Sequence, residues 1–168
     1  MRESLFGSAR AAGDLVLGGV LLRHPGIRWV FTHGGGALPL LADRMEPFRT
    51  APAGTTPDPG TPTVQEQLRT RWFDTAGTPF PHQVPALLAA FGPDPVLYGS
   101  DSCWTPAPAA AAQIRSIDTA PPPTAADTWR ALTTRNAHRP LGRLTARPAR
   151  PRPSPLPRPG FPEARFPA

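Results

Sequence analysis

Three short runs rich in β-branched and aromatic residues each end at a polar side chain with glycine close by. Residues 27–32 stop at His33 and Gly34; residues 71–76 hold Asp74 and run into Gly77; residues 96–101 pass Gly99 and end on Asp101. Segments with apolar residues at helical spacing separate them. Short strands that alternate with helices fold as βα units around a parallel sheet, not as hairpins. The pattern predicts an α/β chain in the order α-β-α-β-α-β-α. In such sheets the functional groups gather at the C-terminal ends of the strands. His33, Asp74 and Asp101 fall at equivalent places in that scheme.

The helical segments can be bounded by their breakers. Leu5, Ala9, Ala12, Leu15, Val16, Gly19, Val20 and Leu22 keep helical spacing over residues 4–23, and the His-Pro-Gly at 24–26 stops the run. Pro39 opens a helix to about Phe48, where its missing N–H costs least. Residues 50–62 read as a loop, 64–68 as a short helix, 83–91 and 107–117 as helices, and 124–144 as one or two more. From Arg147 to Ala168 the chain is mostly Pro and Arg with no hydrophobic period. The expected organisation is one domain over 1–146 and a disordered or polyproline-like tail over 147–168.

All eighteen basic residues are Arg, and the formal net charge is +6. The tail holds five of the arginines and one acid, Glu163, so residues 1–146 carry only about +2. The basic balance therefore argues for no specific nucleic-acid partner. The single cysteine, Cys103, leaves no internal disulfide to form and fits a cytoplasmic protein. The apolar run at 15–22 is far too short to span a membrane and reads as a buried helix face.

Each candidate residue has a plain reading beside the chemical one. His33 is either a hydrogen-bonded structural histidine or an acid/base group near neutral pH. Gly34, Gly35 and Gly36 permit unusual backbone angles and the close approach of a ligand such as a carboxylate. The His-Gly-Gly-Gly string also occurs in the oxyanion holes of esterases, but those need a Gly-x-Ser-x-Gly elbow, which this sequence lacks. Asp101 suits a divalent-metal ligand or a helix cap equally. For Asp74 the cap or turn reading is the stronger. His24 belongs to the opposite end of the sheet and to the surface, His82 to the site's side with no nameable partner, and His138 to a structural role. Phe80 and Trp104 line a pocket or pack in the core.

Four stretches, "LVLGGVLLRHPGIRWVFTHGGGALPLLADR", "WFDTAG", "VLYGSDSCWTP" and "TTRNAHRPL", taken in order, resemble the C-terminal part of the amidohydrolase-related family that contains aminocarboxymuconate-semialdehyde decarboxylase and other metal-dependent decarboxylases. The resemblance covers most of residues 5–144. It implies a partial (β/α)8 barrel, the three strands being the sixth to eighth. It implies that His33 is the acid/base residue near the metal and that Asp101 is a metal ligand. It implies that Arg44, with Gly34, Gly35 and Trp104, contacts substrate. In the decarboxylase that arginine reaches a substrate carboxylate across a dimer interface, so a homodimer is also implied. An arginine is suited to that task by its fixed bidentate geometry. The cofactor implied is a divalent metal, zinc or manganese, and the substrate a small carboxylic acid.

The family's His-x-His pair is missing: the four histidines, at 24, 33, 82 and 138, are nowhere two apart. The chain is therefore expected to be a truncated piece of such an enzyme that holds metal weakly when alone. Three strands of eight are also expected to leave Val30, Phe73 and Leu97 open to water. The parent reaction implied is non-oxidative decarboxylation of an aromatic or unsaturated acid. A metal-dependent hydrolase of C–N or C–O bonds is the near alternative, and a non-catalytic remnant or interaction module the more distant one.

Overall fold

The computed structural model describes residues 2–50, 60–102, 104–125 and 127–142. Most of the 50–62 loop, Cys103 and the 147–168 tail fall outside the described residues. Helix α1 (Arg2–Leu17) buries Ala9, Ala12 and Val16, one turn apart on one face. It does not run on to residue 23. Gly19 adopts a left-handed backbone (φ 67°), which ends α1 and starts the one-turn α2 (Val20–Arg23).

Strand β1 is Val30–Phe31, followed by a tight turn over His33–Gly35 and by α3 (Leu38–Thr50). Helix α4 (Val64–Arg69) starts with a capping box. The Thr63 side chain accepts from the Glu66 N–H, and the Glu66 carboxylate accepts from the Thr63 N–H. Strand β2 (Trp72–Asp74) leads through a wide turn at Pro79–Gln83 into α5 (Val84–Phe91). Strand β3 (Val96–Leu97) precedes α6 (Ala107–Asp118) and α7 (Trp129–Leu141). Among the described residues of 124–144 there is one helix, capped by the Thr128 hydroxyl, which accepts from the Ala131 N–H.

The sheet is parallel, in the order β1-β2-β3. Phe31, Phe73 and Val96 share one cross-strand row. All three belong to the core, together with residues of α1, α2, α3, α4, α5, α6 and α7. The Phe73 ring packs on Phe31 at 5.6 Å and stacks on Phe91 at 5.0 Å. The expected exposure of strand residues is borne out for one of the three. Val30 is 42% exposed, but Phe73 is fully buried and Leu97 is 6% exposed. Phe73 points into the helix layer, and Asn136 of α7 closes over β3 by donating from Nδ2 to the Pro93 and Val96 carbonyls.

Arginines tie down helix ends where carbonyls have no helical partner. Arg23 donates to Gly18 O beyond α1, Arg71 to Leu21 O in α2, Arg69 to Ala90 O in α5 and Arg28 to Pro140 O in α7. No described helix is long and apolar enough to cross a membrane.

Candidate functional site

The C-terminal rim of the sheet is organised by a carboxylate. Asp74 Oδ1, at the end of β2, accepts from the His33 backbone N–H (2.7 Å) and from the Ala76 N–H (3.1 Å). Gly99, beyond β3, lies so close that a Cβ there would sit 3.0 Å from Asp74 Cβ and Cγ. One side chain therefore touches the connections that follow all three strands. This matches the turn-forming reading of Asp74.

Two non-glycine residues among those described have a positive φ: His33 at 56° and Asp101 at 55°. Left-handed backbone is costly for such residues and persists only where the surroundings impose it; it clusters at functional sites. Here both turns bring their side chains together. His33 Nε2 stands 3.9 Å from Asp101 Oδ2, and each side chain is 20% exposed. The same Asp101 oxygen accepts from the Thr105 hydroxyl at 3.2 Å. His33 Nδ1 is buried with no hydrogen-bond partner. Buried polar atoms usually pair with protein, ordered water or a ligand.

His33 and Asp101 line a cavity of about 710 Å³. Its wall is mostly apolar, with Leu5 and Phe6 from α1, Leu40 from α3 and Phe80 from the wide turn. Gly36 explains how α1 reaches the site. A Cβ there would lie 2.1 Å from the Leu5 carbonyl oxygen, so only glycine lets the helix come this close. A mostly apolar wall with a few convergent polar groups is the usual make-up of a small-molecule site.

The other residues singled out from the sequence lie elsewhere. Gly34 and Gly35 are buried beneath the His33 turn, against Gln83 and Phe73, and outside the cavity lining. Trp104 is 80% exposed and Arg44 lies on the exposed face of α3 with its guanidinium over Phe48. Neither lines the cavity. His24 is exposed, as expected of the opposite end. His82 is on the cavity wall. His138 is exposed and edges a second cavity, of about 490 Å³, with Tyr98 and Ile117, rather than packing in the core. Phe80 does both of the things foreseen for it, lining the cavity and packing edge-on against Trp129 at 5.4 Å. Gln83, Thr105, Leu5 and Phe6 were missed. Nothing in their spacing marks them, because the chain brings them to the site only by folding.

Among the described residues no three His, Cys, Asp or Glu side chains converge as a metal site. His33 and Asp101 make two groups, short of the three or four protein ligands that a zinc-type ion takes. The described residues do not complete a divalent-metal centre on their own.

The sequence matches the Amidohydrolase family over residues 8–143. The chain belongs to the amidohydrolase family. Enzymes of this superfamily generally depend on a divalent metal. Among curated amidohydrolase relatives, it is 37% identical over 97 residues to 6-methylsalicylic acid decarboxylase of Penicillium expansum, covering 56% of this chain and 29% of that protein. It is 32% identical over 104 residues to the decarboxylase macB of Penicillium terrestre, covering 59% of this chain and 30% of that one. The amidohydrolase chain thus spans less than a third of these relatives. Solved structures share its fold. The apo IDCase of Metarhizium anisopliae aligns with a TM-score of 0.66 at 22% identity, over 82% of this chain and 39% of its own. The 5-carboxyvanillate decarboxylase LigW of Sphingomonas paucimobilis aligns with a TM-score of 0.61 at 24% identity, over 77% and 38%.

Proposed function

We propose that this chain is a three-strand sector of a (β/α)8 barrel and supplies the proton-transfer side of a decarboxylase for small aromatic carboxylic acids. The observation that carries the reading is His33 opposite Asp101, both in strained left-handed turns, on one largely apolar cavity. His33 protonates the ring carbon that bears the carboxylate; the carbon–carbon bond then breaks, and CO₂ leaves as its electrons return to the ring. Asp101 would be one ligand of a divalent ion such as zinc or manganese, which would orient the substrate. The apolar wall at Leu5 and Phe6 receives the ring. Arg44, which is not in the lining of this cavity, would reach a substrate across a dimer interface. The decarboxylase names of the curated relatives support the choice of reaction over hydrolysis.

Because the chain spans under a third of those relatives, the test grafts residues 8–143 into the matching segment of the Penicillium expansum enzyme. The folded chimera, loaded with zinc or manganese, is expected to release CO₂ from 6-methylsalicylate. A folded, metal-bearing chimera that leaves aromatic acids intact yet cleaves esters or amides would make the chain part of a hydrolase.

A further inference from the structure

Gln83 ends the wide turn before α5, and its side chain reaches back across the site. Its Nε2 donates to the Ala76 carbonyl at 3.0 Å. That bond fixes the amide between the connections that follow β1 and β2. A Cβ on Gly34 would meet Gln83 Cγ at 3.0 Å, Nε2 at 3.2 Å and Cδ at 3.3 Å. The glutamine thus lies flat against the backbone of the residue next to His33. On the far side, a Cβ on Gly77 would sit 3.8 Å from His33 Cδ2 and 4.0 Å from Gln83 Nε2. Imidazole and amide therefore flank the same glycine. Gln83 Oε1 is buried with no hydrogen-bond partner, as His33 Nδ1 is. An unpaired buried acceptor works against stability.

We infer that Gln83 is a positioning residue for His33. Locked by Ala76, it braces the left-handed His33–Gly34 turn from below and keeps Nε2 of the imidazole turned toward Asp101. The bracing is a property of the turn itself; its catalytic meaning rests on the role proposed above for His33. Gly34 has a φ of 60°, which favours glycine, and a Cβ there would crowd the Gln83 side chain.

The test reads the histidine ring directly, in the full chain. Four histidines give four imidazole Cε1–Hε1 signals in a ¹H–¹³C spectrum at one fixed pH. Gln83→Met keeps length and bulk but loses the N–H; Gln83→Ala removes the brace. Both are expected to shift or broaden the His33 signal while those of His24 and His138 stay in place. In the chimera the same variants are expected to lower kcat on the order of tenfold to a hundredfold with KM little changed, as misplacement of a reacting group does. An unmoved His33 signal in folded variants would overturn the inference. So would equal movement of all four signals, or unfolding of both variants, since Gln83 would then serve the fold as a whole. The spectra need no substrate, metal or turnover. An inactive chimera therefore bears on the decarboxylase reading and leaves this one to its own result.

Discussion

Asp74 Oδ1 takes two backbone N–H groups at the end of β2, and the left-handed turn that carries His33 hangs from one of them. Asp74→Ala leaves both donors short of a partner, a loss of about 1–3 kcal/mol. Asp74→Asn retains a carbonyl acceptor and is expected to lose about 1 kcal/mol or less. Thermal melts of the two variants should separate by several degrees; equal melting points would remove Asp74 from its place as organiser of the rim. At this scale the sequence was informative where chemistry sits at a strand end. His33, Asp74 and Asp101 could be picked out because each follows a short run of β-branched or aromatic residues, with a glycine close by. Gln83 and Phe6 could not, since they owe their position to packing between distant segments. Trp104 shows that proximity in sequence to Asp101 does not fix direction: the turn that aims Asp101 toward His33 leaves the indole 80% exposed.

Helices and strands differ in how far local pattern determines them. The break between α1 and α2 could not be read from the apolar period, which continues through Gly18 and Gly19; the left-handed backbone at Gly19 overrides it. Strands were overestimated because each run extends past the few residues that have ladder partners. Residues 98–101 bend off the sheet toward the Asp101 turn, so β3 keeps only Val96 and Leu97. Acidic groups hold several helix ends. The Thr63 backbone N–H, followed by its hydroxyl, lowers the Glu66 pKa in the α4 capping box. Hydrogen bonds from Arg130 and Arg135 lower Asp118 and Asp127, linking α6 to α7 and the turn before α7 to α7 itself. A depressed carboxyl pKa contributes stability above the group's ordinary value and loses it as pH falls through the lowered one. Melting temperature is therefore expected to hold from neutral pH down to the ordinary carboxylate range and to fall below it. Replacing Asp118 and Asp127 by Asn should flatten that acid limb. An unchanged limb would assign the acid sensitivity to other carboxylates.

For the molecule as a whole, the alternation of elements and the parallel sheet were legible, because βα order leaves few other topologies. Contacts across the sheet were not, since a sequence carries no distances; the 3.9 Å between His33 and Asp101 is a result of folding. The expected wet inner face was overdrawn because Phe73 lies in the helix-side row, and Leu97 is itself buried. A small amidohydrolase sector can therefore bury Phe73, Val96 and Leu132 almost completely while both edges of its sheet remain unpaired among the described residues. The proposed function divides labour across that rim, with His33 moving the proton and Asp101 holding the metal. Metal content and CO₂ release measured on the same preparations of the chimera separate the two roles. His33→Asn is predicted to keep the bound metal and to abolish decarboxylation, and Asp101→Asn to lose both. Full turnover without His33, or a metal site emptied by its replacement, would refute this assignment.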